Sequence, residues 1–259
     1  MELDSETCRF YRNSLAVLAE AGVPFLVGGA FALERYTGVS RFTKDFDLFV
    51  KPEDAGRALE ALARAGYRTE MTSETWLGKA YHRDLFVDII FRSSNGVSEV
   101  DDAWFEHAVE GKVLGAPVRL CPPEENIWMK AFIMDRDRYD GADVAHLLRV
   151  CAKDMDWRRL LSRFGPHWRV LLSHLVLFGF IYPGERTLIP PEVLSELLDR
   201  LRADLDDPSP PQEQVCQGTL LSRQQFLIDT QQWGYRDGRL EPLGNLTEDQ
   251  VAELNAEVA

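Results

Sequence analysis

Residues 23–36 read VPFLVGGAFALERY and residues 45–50 read DFDLFV, and these two stretches decide the fold. The run VPFLV is short and apolar, which is typical of a buried strand. Gly28 and Gly29 follow this run at once and precede a stretch with helical spacing. The second stretch predicts a further strand that begins with acidic side chains. We therefore expect a strand, a glycine turn and a helix, followed by a second strand.

The rest of the N-terminal half adds helices and strands around this pair. Residues 5–20 predict an amphipathic helix with Ser5 as its N-cap, and Pro52 opens a helix that ends at Gly66. The strands predicted after it lie at residues 67–70, 77–82 and 85–91, and a hairpin is predicted around residues 115–116. The third of these strands, LFVDIIF, is almost continuously apolar, which predicts a central strand covered on both faces.

The pattern changes to helices at Pro123, after which apolar residues recur at helical spacing through Ile127, Ala131 and Met134. Further helices are predicted at residues 141–151, 157–164, 168–180 and 191–205. We assign the aromatic residues of the helix at 168–180 to the core of a bundle.

These patterns together predict an α+β protein in three parts. Residues 1–122 form a domain with a mixed β-sheet flanked by helices, and residues 123–205 form a C-terminal helical bundle. Residues 206–259 form a linker and an acidic tail. The sequence leaves open whether this tail is mobile or docks on the first domain.

The composition argues against several classes of protein. The net charge of −13 disfavours extended nonspecific binding of nucleic acid, because such binding depends on clustered lysine and arginine. No apolar run approaches the roughly 18 residues of a membrane-spanning helix, and the start lacks the pattern of a secretion signal. We therefore expect a cytoplasmic protein without a membrane partner. Its four cysteines are far apart and predict reduced thiols rather than a structural zinc site.

Three acidic side chains are candidate metal ligands. Asp45 and Asp47 are two residues apart in an extended segment, so their side chains leave the same face of the strand. Asp88 lies within the apolar strand, where an ionised carboxylate must be paired, bound to a metal or open to solvent. Carboxylate oxygens are suited to Mg²⁺. The pair Gly28-Gly29 can seat phosphates, because the backbone approaches closely and the next helix directs its first N–H groups at an anion.

In combination these elements resemble the signature of the polymerase-β-like nucleotidyltransferase superfamily. That signature is a glycine pair, a DxD motif and a third aspartate on a later strand, here VGGA, DFD and FVDII. The resemblance implies that the glycine pair contacts a nucleoside triphosphate. It also implies that Asp45, Asp47 and Asp88 are the catalytic residues and bind Mg²⁺, or Mn²⁺ in its place.

A narrower resemblance is to the abortive-infection toxins of the AbiEii type and related stand-alone nucleotidyltransferases, which implies a toxin–antitoxin-like setting. The helical half of those proteins carries a lysine and then an aspartate, and Lys130 in WMKAF and Asp143 in YDGADVAHLL fall in this order. Arg41 and Thr43, in RFTKDFD, resemble residues that precede the DxD motif. The resemblance implies that these four residues contact the nucleotide or shape its site.

The superfamily resemblance implies an enzyme that transfers an NMP from an NTP to a hydroxyl acceptor and releases pyrophosphate. The acceptor stays open among a protein hydroxyl, the 3′ end of a tRNA and a small molecule such as an aminoglycoside. A CCA-adding enzyme is disfavoured, because the Arg-Arg-Asp motif of that class is absent after Asp88. The alternative hypothesis is a non-catalytic nucleotide-binding or partner-regulated module that has kept the fold.

Overall fold

The computed structural model describes residues 3–40, 43, 45–207 and 213–256. The described residues divide into two compact units. The first contains those up to Pro122 together with those from Thr247 onward, and the second contains those from Pro123 to Leu246. Each unit has its own set of buried side chains.

The first unit is built on a seven-stranded mixed sheet. Its strands are β1 (Leu26–Val27), β2 (Asp47–Phe49), β3 (Arg68–Ser73), β4 (Leu77–His82), β5 (Leu85–Ile90), β6 (Val109–Val113) and β7 (Ala116–Leu120). They lie in the order β3-β4-β5-β2-β1-β7-β6. β2 runs parallel to β5 and β1 parallel to β7, and the other neighbours are antiparallel. The helices of this unit that precede Pro122 are α1 (Ser5–Glu20), α2 (Gly29–Thr37), α3 (Pro52–Arg64) and α4 (Asp102–Glu106).

The prediction of an α+β fold with a mixed sheet and flanking helices is confirmed. β5 has an interior position between β4 and β2, and its Val87 and Ile89 are fully buried, as the apolar run LFVDIIF predicts. The strands β6 and β7 form the predicted hairpin. Leu114 and Gly115 at its turn have φ values of 52° and 79°, which is the conformation of a two-residue hairpin turn.

The N-cap of α1 differs from the prediction. The cap is Asp4, and Ser5 is the first helical residue. The Asp4 carboxylate accepts hydrogen bonds from the N–H groups of Glu6 and Thr7, at 2.8 and 2.9 Å, and from the Thr7 hydroxyl at 2.6 Å. A carboxylate with two oxygens can accept all three hydrogen bonds, which a single serine hydroxyl cannot.

An aromatic cluster ties the helices of the first unit to the segment that leads into β2. Tyr11 of α1 stacks on Phe46, with the ring centroids 4.6 Å apart, and Phe31 of α2 packs edge-on against Phe46 at 4.8 Å. All three side chains are buried. Phe46 therefore anchors the residues on either side of it, which are the two aspartates of the DxD motif.

The described part of the second unit is mainly helical. Its helices are α5 (Pro123–Lys130), α6 (Gly141–Cys151), α7 (Trp157–Phe164), α8 (Trp168–Ile181), α9 (Pro191–Asp206) and α10 (Leu227–Gln231). Two short parallel strands, β8 (Val215–Cys216) and β9 (Arg236–Asp237), pair with each other. The helix that begins at Pro123 is shorter than its apolar spacing predicts. It ends at Lys130, because the backbone of Met134 instead bonds to Leu221 and bridges to Tyr139.

The aromatic residues of α8 do not all lie in the core. Trp168 and Phe178 are buried, as predicted, but the Phe180 side chain is 83% exposed. Residues two apart on a helix point in nearly opposite directions, so Phe178 and Phe180 cannot both face the same core. Along the described parts of the chain, α8 included, no helix has the length and apolarity that crossing a membrane requires.

Buried charges join α5 to α7 inside the second unit. The Glu125 carboxylate is fully buried and lies 2.5 Å from Nη1 of Arg159 and 3.0 Å from Nε of Arg163. Both arginine side chains are also mostly buried. Arg159 is also paired with Glu124, at 2.6 Å, so removal of Glu125 would take one buried counter-charge from each guanidinium group.

A glutamate of the last helix is bound to the β3–β4 turn of the first unit. This helix, α11 (Glu248–Ala256), directs the Glu253 carboxylate at the turn. The carboxylate accepts hydrogen bonds from the Ser73 hydroxyl, the Glu74 N–H and the Thr75 hydroxyl, at 2.8, 3.1 and 3.0 Å. The side chains of Ser73 and Thr75 are buried. One carboxylate therefore satisfies three donors that the turn does not satisfy itself.

Replacement of Glu125 by alanine should lower the free energy of unfolding by about 3–5 kcal/mol, because two buried guanidinium groups each lose a buried counter-charge. The matched control is Glu60→Ala, which breaks the exposed pair between Arg64 and Glu60. That change should cost less than about 1 kcal/mol. Urea unfolding monitored by tryptophan fluorescence measures both. Equal losses of stability in the two variants would contradict the structural role of Glu125.

Replacement of Glu253 by alanine should open the β3–β4 turn locally. The amide of Glu74 should exchange with solvent at least about tenfold faster, because a lost hydrogen bond of this kind costs ~1–3 kcal/mol. Glu248→Ala, at an exposed position of the same helix, is the control and should leave that amide unaffected. Hydrogen exchange measured by NMR distinguishes the two. An unchanged rate at Glu74 in the Glu253 variant would refute this role.

Candidate active site

The pairing of β2 with β5 brings two of the predicted metal ligands side by side. Asp47 and Asp88 are direct partners across the two parallel strands. The N–H of Asp88 donates to the carbonyl of Phe46 at 3.0 Å, which fixes this register. Partners in neighbouring strands share a face of the sheet, so both carboxylates leave the same side.

Asp45 precedes β2 and is held by a local turn. The Thr43 hydroxyl accepts a hydrogen bond from the Asp45 N–H at 3.1 Å and donates to the Asp45 carbonyl at 3.2 Å. Phe46 is fully buried, and the two aspartates on either side of it are partly exposed. Thr43 thus orders the backbone of a candidate ligand. Arg41, predicted to contact the nucleotide, lies outside the described residues.

At both positions of the glycine pair, neighbouring atoms leave no space for a side chain. Gly28 caps the N-terminus of α2 and donates its N–H to the carbonyl of Asp47 at 3.0 Å. A Cβ at Gly28 would overlap the ring of Phe49. Gly29 has a φ of +54°, and a Cβ there would overlap the carboxylate of Asp47. The glycine turn and the DxD motif are therefore in direct contact.

Asp88 is paired with a lysine that the sequence analysis did not single out. Nζ of Lys79 lies 2.7 Å from Oδ1 of Asp88, and the two residues are direct partners between β4 and β5. Burial raises the pKa of Asp88, the ammonium of Lys79 opposes that rise, and the charge of Asp45 adds to it. The influence of Asp45 indicates that its carboxylate is near enough to interact with Asp88.

Tyr11 is a second residue near the three carboxylates that sequence reasoning missed. Burial, together with the charges of Asp45, Asp47 and Asp88, raises the pKa of its phenol to about 12. The phenol therefore stays protonated and remains a hydrogen-bond donor beside the acidic cluster. Helical spacing alone assigns Tyr11 to the core, and only the packing of α1 on the sheet brings it to this site.

The chemistry of the donors suits a hard divalent cation, because all three are carboxylates and such cations prefer oxygen ligands. Asp47 and Asp88 are adjacent, and Asp45 is within electrostatic reach. As the side chains stand, no group of three or more His, Cys, Asp or Glu among the described residues is arranged to hold a metal ion. Oδ1 of Asp88 is engaged by Lys79. A cation that binds all three aspartates must therefore draw their side chains together and compete with Lys79.

Lys130 and Asp143, which the sequence predicts to contact the nucleotide, are bound to each other in the second unit. Nζ of Lys130 lies 2.8 Å from Oδ2 of Asp143 and 2.8 Å from Oδ2 of Asp140. Asp140 was missed by the sequence analysis, although it stands directly before the helix that carries Asp143. Burial opposes the ionisation of Asp140, but Lys130 and Arg138 outweigh it and lower its pKa. Contact of this cluster with a nucleotide stays a prediction.

This chain is similar to several solved structures. The antibiotic-resistance factor ANT(2'')-Ia is 21% identical with a TM-score of 0.49, over 66% of this chain and 98% of that one. The lincosamide antibiotic adenylyltransferase LnuA is 15% identical with a TM-score of 0.40, over 58% and 99%. JHP933 from Helicobacter pylori is 13% identical with a TM-score of 0.39, over 78% and 97%.

No curated protein matches the sequence, and the narrower resemblance to toxins of the AbiEii type stays a prediction. A family model gives the assignment. The model described as an uncharacterised nucleotidyltransferase matches residues 14–167, a span that includes the glycine pair and all three aspartates. This match covers more than half of the chain, which therefore belongs to this nucleotidyltransferase family.

Proposed function

We propose that the protein transfers an NMP from an NTP to a hydroxyl acceptor and releases pyrophosphate. The observation that carries this proposal is the contact of the glycine turn with Asp47, which stands beside Asp88. Gly29 abuts the carboxylate of Asp47, and Asp47 is the direct strand partner of Asp88. The backbone proposed to seat the phosphates is therefore in contact with one of the carboxylates proposed to bind the metal.

In the reaction, the acceptor oxygen forms a bond to the α-phosphorus of the NTP. The bond from that phosphorus to the oxygen bridging the α- and β-phosphates breaks, and its electron pair leaves with pyrophosphate. The acceptor hydroxyl gives up its proton to the carboxylate of Asp88, whose pKa burial raises. The α2 N-terminus at Gly28 and Gly29 seats the phosphates, because first-turn N–H groups and the helix dipole favour an anion there.

Asp45, Asp47 and Asp88 are the residues that would hold Mg²⁺ or Mn²⁺. When bound, such ions neutralise phosphate charge and lower the pKa of the acceptor hydroxyl. Thr43 orders the backbone of Asp45, and the buried ring of Phe46 fixes the DxD segment against Tyr11. These contacts hold the aspartates ready for the substrate, which is what phosphoryl-type transfer chiefly requires of a protein.

The acceptor class remains open among a protein hydroxyl, an RNA 3′ end such as that of tRNA, and a small molecule. The net charge of −13 gives little support to an RNA acceptor that would need an extended basic surface. A catalytically silent nucleotide-binding or partner-regulated module is the second candidate. Retention of all three carboxylates beside the glycine turn favours the enzyme.

Replacement of Asp45, Asp47 or Asp88 by asparagine should lower turnover by about two orders of magnitude or more, because each change removes a charge that the metal requires. The control is Asp84→Asn, an exposed position on the β4–β5 turn, which should retain full activity. Circular dichroism checks that each variant is folded. Activity is measured as pyrophosphate release from each labelled NTP with Mg²⁺ or Mn²⁺.

The same labelled-NTP assay, run in whole-cell lysate, identifies the acceptor from the species that becomes labelled. Full activity in the double variant Asp45→Asn/Asp47→Asn would refute the proposed function. Metal-dependent binding of NTP without transfer to any protein, tRNA or small molecule tested would favour the binding module.

Replacement of Gly29 by alanine should reduce NTP turnover by about 100-fold, because the new Cβ displaces the Asp47 carboxylate. Gly22→Ala is the matched control, since Gly22 also has a positive φ, +63°, but no atom within 4 Å of the added Cβ. That variant should lose stability by about 1 kcal/mol and keep its turnover. Steady-state kinetics and urea unfolding separate the two effects. Similar turnover in the two variants would argue against a role for the glycine contact.

A further inference from the structure

One lysine lies in line with the acidic residues of the candidate site. Lys79 on β4, Asp88 on β5 and Asp47 on β2 are successive direct partners across three neighbouring strands. Direct partners in a sheet share a face. The three side chains therefore form a single row in which one cation stands beside two carboxylates.

The pairing of Lys79 with Asp88 is close and largely removed from solvent. Nζ of Lys79 lies 2.7 Å from Oδ1 of Asp88, and the side chains are 19% and 12% exposed. The ammonium also lies 4.1 Å from the centre of the Phe86 ring. An ammonium bound by a carboxylate and by an aromatic face has few other positions to occupy, so the ion pair is well ordered.

We infer that Lys79 is a positioning residue that acts as the resident counter-ion of Asp88 and competes there with a divalent cation. This inference rests on the proposed function, because it takes Asp88 as a metal ligand. Without the metal, the ammonium holds the buried carboxylate in its charged and oriented state. Binding of the metal places a second cation on the same carboxylate, so Lys79 weakens metal binding until the substrate arrives with its own negative charge.

A competing role for Lys79 differs from a purely structural role of the ion pair in its effect on metal affinity. A structural lysine would leave metal affinity unchanged when its charge is removed and its packing is kept. A competing lysine lowers that affinity, because a positive charge beside the site repels a divalent cation and occupies its ligand. Metal affinity in the absence of nucleotide therefore distinguishes the two roles without any measurement of activity.

The test is the binding of Mn²⁺ to the full-length protein without nucleotide, measured as free Mn²⁺ by EPR. Lys79→Met, which keeps the length of the side chain and removes its charge, should lower the Kd by about tenfold. Lys79→Arg keeps the charge and should change the Kd by less than about threefold. The matched control is Lys112→Met, an exposed lysine on the edge strand β6, which should leave the Kd unchanged.

A double-variant cycle separates contact with Asp88 from a general change of charge. In an Asp88→Asn background, Lys79→Met should no longer tighten Mn²⁺ binding, because the competed ligand is gone. Equal tightening with and without Asp88 would overturn the inference. So would unchanged or weaker binding in Lys79→Met alone, provided that the wild-type protein binds Mn²⁺ through Asp88.

A measurement on the wild-type protein covers the case in which Lys79→Met does not fold. Mg²⁺ should shift the ¹⁵N signal of the Lys79 ammonium in NMR spectra and leave that of Lys112 in place. A Lys79 signal that stays fixed while Mg²⁺ binds would overturn the inference about Lys79 and leave the proposed function intact. Failure of the wild-type protein to bind Mg²⁺ or Mn²⁺, with or without NTP, would overturn the proposed function as well.

Discussion

The parallel pairing of β2 with β5 is the constraint on which the rest of the site depends. It sets Asp47 opposite Asp88, and a slip of one residue would turn one of these carboxylates to the other face of the sheet. The buried ring of Phe46 and the hydrogen bond between the Asp88 N–H and the Phe46 carbonyl hold the register. The apolar residues of these two strands thus determine where the acidic residues stand.

The same strand register determines which side chains can stand next to Asp47 and Asp88. The glycine turn must lack a side chain at residue 29, because the carboxylate of Asp47 occupies that space. Lys79 must stand opposite Asp88, because a buried carboxylate beside two others is costly without a counter-charge. The glycine pair, the DxD motif and the paired lysine are therefore consequences of one packing arrangement and not independent features.

Much of the fold could be predicted from the sequence, because its signals are local. The apolar run LFVDIIF, the turn at Gly115 and the proline and glycine at the ends of α3 each indicate their element from a few residues. Signals that depend on distant parts of the chain were missed. The helix that begins at Pro123 stops at Lys130 because Met134 bonds to Leu221, far along the sequence.

The residues of the candidate site also fall into two groups, those indicated by local motifs and those that depend on tertiary packing. Gly28, Gly29 and the three aspartates could be named from their motifs, and their roles stay predictions. Lys79 could not be predicted from the sequence, because its contact with Asp88 depends on the register between β4 and β5. Tyr11 could not be separated from ordinary core residues, because only the packing of α1 brings it to the carboxylates. Asp140 shares Lys130 with Asp143 through side-chain contacts that spacing alone does not reveal.

The most direct measurement is a crystal structure of the full chain with Mn²⁺ and a non-hydrolysable NTP analogue, with the metal located by its anomalous signal. We expect Mn²⁺ bound by oxygens of Asp45, Asp47 and Asp88, at roughly the 2.0–2.6 Å typical of oxygen ligands to divalent cations. We also expect the phosphates to lie against the backbone of Gly28 and Gly29. A nucleotide or metal bound elsewhere, with the ion pair of Lys79 and Asp88 unchanged, would contradict the account.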